Sequence, residues 1–169
     1  MTFAHASSRG LRIAMALSAV LFLAGCASKS QVSEGLGGAG AGSVATPGSP
    51  QDFVVNVGDR VFFAEDQSDL SDQARTTLGQ QARWLQAYPR YTVTIEGHAD
   101  ERGTREYNLA LGARRAQAVR DYLIAQGIQA QRMRTISYGK ERPVAVCNDA
   151  SCWTQNRRAV TVLNNAAGS

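Results

Sequence analysis

EGHADERGTREYNLALGARRAQAV, residues 96–119, is the stretch that decides how this chain folds. It opens on the end of an apolar, β-branched run, Tyr91-Thr92-Val93-Thr94-Ile95, which reads as a strand. It crosses a short turn crowded with charge and continues as a long alanine-rich helix. A strand, a charged turn and a helix N-terminus in succession bring side chains and free backbone N–H groups onto one small volume. Along the helix, Asn108, Leu111, Arg115 and Val119 recur on one face at helical period, and Leu111 and Val119 mark that face as inward. An inward arginine must meet an anion or carry a large desolvation cost. The acids best placed in sequence to turn back toward Arg115 are Asp100 and Glu101.

Outward from this stretch, residues 53–57 (Phe53-Val54-Val55-Asn56-Val57) and 60–63 are β-type runs split by the turn signal Gly58-Asp59. Residues 66–69 form a polar turn. Ser71 or Asp72 caps a helix that runs to Tyr88, with Ala74, Leu78, Ala82 and Leu85 on one face, and Pro89 closes it. Trp84 and Tyr88 read as core. A strand over 91–96 leads to the long helix over 104–126, which Gly127 stops in a left-handed conformation. Residues 133–138 are a strand, 139–155 a loop and 158–163 a final strand. The order β-α-β-α-β-β predicts an α/β (α+β) fold, a two-layer sandwich with helices on one face of a mixed sheet.

The N-terminal third is of a different kind. Arg9 and Arg12 precede an apolar run over 13–24 that is too short for a comfortable membrane span and reads as a signal segment, residues 1–25. Leu23-Ala24-Gly25-Cys26 is similar to the bacterial lipobox, in which the cysteine becomes an acylated N-terminus. Each buried methylene contributes about 0.8 kcal/mol, so several acyl chains on Cys26 hold a membrane where one would not. An ordinary secretory signal is the plainer alternative. Ala27 after the cysteine resembles the sorting pattern for the outer membrane. Residues 26–51 are Gly, Ala and Ser with Pro47 and Pro50, and such a composition buries no core. About 25 residues of flexible chain span roughly 25–30 Å r.m.s. and about 80–90 Å when taut. The domain proper is expected over 52–166.

Without Arg9 and Arg12, 16 basic residues face 14 acidic ones, a net charge of +2. That mild and evenly mixed charge excludes a nucleic-acid binder and points to a solvated surface.

The residues of the central stretch carry a resemblance. Gly97-His98-Ala99-Asp100-Glu101-Arg102-Gly103-Thr104, followed by Asn108-x-x-Leu111-Gly112-x-x-Arg115-Ala116-x-x-Val119, is similar to the peptidoglycan-binding signature of the OmpA-like C-terminal domain family. The resemblance implies non-covalent binding of peptidoglycan through the diaminopimelate of its stem peptide. As peptidoglycan-binding residues it implies Asp66, Asp100, Thr104, Asn108, Leu111, Arg115 and Arg158, the second arginine of Asn156-Arg157-Arg158. Asp66 matches the aspartate of the family's first-strand motif, although Glu65 stands where relatives more often place an apolar residue. Together with the lipobox, the resemblance implies TolB and other Tol proteins as partners and a role in outer-membrane integrity and invagination during cell division. The protein would be lipid-anchored in the inner leaflet of the outer membrane, its domain facing the periplasm.

The chemistry suits that ligand. The far end of diaminopimelate carries an ammonium and a carboxylate on one carbon. A carboxylate such as Asp100 matches the first, and a planar guanidinium such as Arg115 matches the second in bidentate fashion. A purely structural Asp100–Arg115 salt bridge is the competing reading.

Other chemistries lack their parts. His98 beside Asp100 and Glu101 invites a metal, but it is the one histidine left after the signal segment, and no HExxH or CxxC occurs. No nucleophile motif is present, and an arginine-balanced aspartate stays ionised, which suits binding better than acid catalysis. The chain is therefore expected to be no enzyme and to need no cofactor beyond the covalent lipid. An adaptor of another envelope machine and a cell-wall hydrolase are the alternatives. Cys147 and Cys152 are expected to pair in an oxidising compartment, two free thiols being the other reading.

Overall fold

The computed structural model describes residues 45–164. A short helix α1, Pro50–Asp52, continues as a π-helix over Phe53–Gly58. Then come β1 (Arg60–Phe62), α2 (Asp72–Ala87), β2 (Thr92–His98), α3 (Arg105–Ala125), a 3-10 turn (Ala130–Arg132), β3 (Met133–Gly139), α4 (Ala150–Asn156) and β4 (Arg158–Asn164). The four strands lie in the order β1-β4-β2-β3. β2 and β3 run parallel, while β4 pairs antiparallel with both β1 and β2, so the sheet is mixed. This is the expected α+β sandwich.

Local chemistry explains the elements. The Ser71 hydroxyl caps α2 by accepting from Ala74 N at 3.2 Å. Gly127, at φ 92°, ends the turn after α3 as expected. Leu78, Leu85, Val93, Ile95, Val119 and Leu123 form the core between the helices and the sheet. One close approach fixes the two layers. A Cβ on Gly97 of β2 would stand 1.8 Å from the Gly112 carbonyl oxygen of α3, so helix and strand touch backbone to backbone.

Three expectations need correction. Residues 53–57 are helical rather than a strand. The Ser49 hydroxyl accepts from Asp52 N at 3.1 Å and Pro50 takes the first helical turn, a start signal that outweighs the β-propensity of three valines. Phe53 is fully buried while Val54 and Val55 are 49% and 63% exposed, which two-residue alternation would not give.

The second correction concerns where packing begins. The expected tether over 26–51 is already ordered against the domain at Ala45, which is buried. Buried Asp52 accepts from Gly48 N and from Trp84 Nε1, both at 2.8 Å. The Gly48 carbonyl accepts from the Tyr91 hydroxyl at 2.9 Å and from Arg90 at 2.8 Å. Trp84 packs on Phe53, Tyr88 and Tyr91 with ring centroids 4.9, 4.7 and 5.2 Å away. A small-residue composition hides such a clasp, because its partners lie forty residues on.

The third is α4, which interrupts the expected loop over 139–155. Asp149 caps it, accepting from Ser151 N at 2.8 Å. Cys147 and Cys152 are joined in a disulfide with Cα atoms 5.7 Å apart. The expected signal segment, acylated Cys26 and most of the tether lie outside the described residues. Among the described residues, no helix is long and apolar enough to cross a membrane.

Candidate functional site

The end of β2, the turn after it and the start of α3 face the loop that follows β1. Between them lies a groove of about 350 Å³ lined by Glu65, Asp66, Asp100, Arg102, Tyr107, Asn108 and Leu111. Thr104 caps α3, its hydroxyl accepting from Tyr107 N at 3.2 Å. Asn108, buried one turn on, donates to the Arg102 carbonyl at 2.6 Å and so ties the charged turn to the helix. Asp66 sits at φ 54°, in the left-handed region that a non-glycine residue seldom adopts, and its carboxylate accepts from the Tyr107 hydroxyl.

Asp100 anchors the floor. Its carboxylate accepts from Arg102 Nη2 at 2.8 Å, from Arg102 Nε and backbone N at 3.2 Å each, and from Arg157 Nη1 at 3.2 Å. Burial alone would raise its pKa, but the hydrogen bonds from Arg102 and Arg157 outweigh burial and hold it below the usual carboxylate range. The stability from this pairing is present above that range and is lost as pH falls through the depressed value. Arg102 also donates to Glu65 at 2.7 Å and lies 4.2 Å above the Trp153 ring, whose Nε1 donates to Glu101.

Arg115 is inward as expected, but it meets carbonyls instead of a carboxylate. Its Nε donates to Gln67 O at 2.8 Å, Nη1 to His98 O at 2.7 Å and Nη2 to Ala64 O at 3.2 Å. The Phe63 ring lies 5.2 Å from its guanidinium carbon. Burial lowers its pKa to about 10, with the charge of Asp100 opposing, so it remains a cation at neutral pH. No ion pair joins Asp100 to Arg115 among the described residues. Arg115 is 0% exposed and clamps both walls of the groove from beneath.

Of the residues expected at the site, Asp66, Asp100, Asn108 and Leu111 line one groove, with Thr104 at its helical edge and Arg115 under it. Arg158 does not join them. It donates to the Asn156 and Arg142 carbonyls, whereas Arg157 reaches Asp100. Arg158 is the first residue of β4, whereas Arg157 is the C-cap of α4 just before it, and the two buried side chains take different partners. Glu65, Arg102, Tyr107, Trp153 and Arg157 were missed as site residues. Arg157 adjoins an expected site residue in sequence, but its position, like those of Glu65 and Trp153, depends on long-range packing.

His98 is buried on the other side of β2 beside a register shift, its ring 5.6 Å from Tyr138. Neither ring nitrogen has a hydrogen-bond partner among the described residues. Burial, helped by Arg158 and Arg142, lowers its pKa to about 4. The unfolded chain therefore takes up a proton near pH 6.5 that the folded one refuses, and stability falls as pH drops from about 6.5 toward 4. Denaturant unfolding is expected to show a loss of about 2 kcal/mol between pH 7 and pH 5. His98→Phe should flatten that slope; an equal slope in the variant contradicts the assignment to His98.

Fold and groove belong to one class of protein. The sequence model of the OmpA family matches residues 62–158, and the chain belongs to that family, as the motif over 97–119 predicts. Its relatives carry a more particular name. The peptidoglycan-associated lipoprotein of Rhizobium meliloti is 63% identical over 155 residues, 91% of this chain and 88% of that protein. The crystal structure of the peptidoglycan-associated lipoprotein from Burkholderia pseudomallei matches with TM-score 0.65 and 41% identity, covering 69% of this chain and 100% of that one. The C-terminal domain of Helicobacter pylori MotB, at 22% identity and TM-score 0.60 over 64% of this chain and 86% of its own, shares the fold.

Proposed function

We propose that the chain is a lipoprotein of the outer membrane, anchored through Cys26, that holds peptidoglycan without covalent attachment or turnover. The ligand is the diaminopimelate of the stem peptide, bound in the groove by Asp66, Asp100, Asn108 and Leu111. The observation that carries this reading is Asp100, a buried carboxylate kept ionised by two arginines at the floor of an open groove. An ionised carboxylate receives an ammonium and makes a poor general acid. The ligand's carboxylate faces the start of α3, where unpaired N–H groups and the helix dipole favour an anion, with the buried charge of Arg115 beneath. Thr104 shapes that edge as the cap, and Arg158 has no direct part. The names of the relatives, which pair peptidoglycan with a lipoprotein, support the same assignment. TolB and other Tol proteins are the proposed protein partners, with outer-membrane integrity and constriction at division as the process served.

Calorimetric titration of residues 27–169 with a diaminopimelate-containing muropeptide tests the reading. Asp100→Asn keeps the shape and removes the charge, and it is expected to weaken binding by at least about tenfold, the loss of one charge-assisted contact. Equal affinity in wild type and variant defeats the site. Release of soluble fragments from sacculi would show an enzyme instead.

A further inference from the structure

Arg102 is the one arginine among the described residues that line the groove. It is 35% exposed along its side chain and bridges Asp100 and Glu65, the latter itself largely exposed. We infer that Arg102 sets the specificity of this groove: its guanidinium sits between Asp100 and Glu65 where the ligand's ammonium goes, so binding exchanges one cation for the other. The inference rests on the groove being the diaminopimelate site.

The surroundings of Arg102 allow the exchange. Its backbone is pinned twice, by Asn108 on its carbonyl and by Asp100 on its N–H, so the side chain can leave while the turn stays in place. Asp100 keeps buried Arg157 as a partner when Arg102 departs, so no buried carboxylate is stranded. The resident guanidinium also lies 4.2 Å above the Trp153 ring, so its departure changes the surroundings of that indole. Its hydrogen bonds to Asp100, and then to Glu65, raise the pKa of Arg102, so it cannot clear the site by losing its proton and must be replaced by another positive charge.

A free amine on the ligand is then required. A ligand whose amine is blocked would have to strip Asp100 and Glu65 of their cation and return nothing. A compact ammonium, with three donors, fits a corner made by carboxylates better than a second planar group would.

The full-length chain in detergent is titrated with a muropeptide carrying free diaminopimelate, and with the same muropeptide N-acetylated on that residue. Affinity and tryptophan emission are read together. Arg102→Gln removes the resident cation and is expected to tighten binding of the free-amine muropeptide about two- to fivefold, the scale of a partly exposed ion pair. In the wild type, saturation is expected to change the emission of Trp153 as the guanidinium above it moves; in Arg102→Gln it does not. Trp84 is buried in the core and gives a constant background. The N-acetylated muropeptide is expected not to bind the wild type, and Arg102→Gln, which has no cation to strip, is expected to discriminate less between the two muropeptides. Unchanged or weaker binding by Arg102→Gln, tight binding of the N-acetylated form by the wild type, or constant emission in the wild type overturns the inference. A wild type that binds neither muropeptide removes the reading of the groove, and this inference with it. Circular dichroism confirms that the variant folds; should it not, Arg102→Lys, which keeps a single weaker contact, is expected to tighten binding by a smaller factor.

Discussion

Arg115→Ala is expected to lower the stability of the domain by at least about 3 kcal/mol and to abolish muropeptide binding. Three backbone carbonyls, of Ala64, Gln67 and His98, receive their hydrogen bonds from this one guanidinium inside the protein. Each bond involves a charged donor and contributes about 1.5–3 kcal/mol, and an unpaired buried carbonyl costs a similar amount. The truncation also leaves a cavity beneath Phe63. For a domain of this size the loss corresponds to a fall in Tm on the order of 10 °C or more. Binding fails because Ala64 and Gln67 flank Glu65 and Asp66, so the wall of the groove comes loose from β2. Arg115→Lys separates this account from a direct ligand contact. One ammonium serves part of the three-carbonyl set, so stability and affinity should both recover in part and in proportion. A lysine variant that is fully stable yet unable to bind would mean that the guanidinium itself touches the ligand.

The same arginine shows what a sequence can and cannot disclose. Its inward direction follows from its place between Leu111 and Val119 on a helical face, since period and neighbours are local facts. Its partners do not follow. Two of the three carbonyls come from the loop after β1, and nothing about Ala64 or Gln67 distinguishes their backbone oxygens from any others. Asp100 was legible as an acid facing a cation because the turn is short, yet the cations are Arg102, two residues on, and Arg157, fifty-seven residues away. The long helices and inner strands were legible because punctuation and period agree: Ser71, Pro89, Thr104 and Gly127 bound them. The helical turn over Phe53–Gly58 was not, because there valine-rich propensity and the Ser49-Pro50 start signal point opposite ways, and contact with Trp84 decides between them.

Gly97→Ala carries the second large effect, and it tests how the groove is aimed. The added methyl carbon would lie 1.8 Å from the Gly112 oxygen and 2.6 Å from its carbonyl carbon, both backbone atoms that no rotamer change can move. Helix α3 would have to back away from β2 by more than an ångström, stretching the 2.7 Å bond from Arg115 to the His98 carbonyl and opening the core at Ala116. Overpacking of this kind costs typically about 1–3 kcal/mol and more when backbone must shift, so at least about 3 kcal/mol is expected. Gly112→Ala meets a softer obstacle. Its methyl would lie 2.4 Å from the Ser137 hydroxyl, a side-chain atom, with the Gly97 oxygen at 2.8 Å. Ser137→Ala should therefore relieve part of the cost of Gly112→Ala and none of the cost of Gly97→Ala, which a double-mutant cycle by denaturant unfolding measures directly. A Gly97→Ala domain that unfolds within a few degrees of wild type would mean that strand and helix are not in backbone contact. The carboxylate of Asp100 and the start of α3 would then owe their mutual position to something other than this pair of glycines.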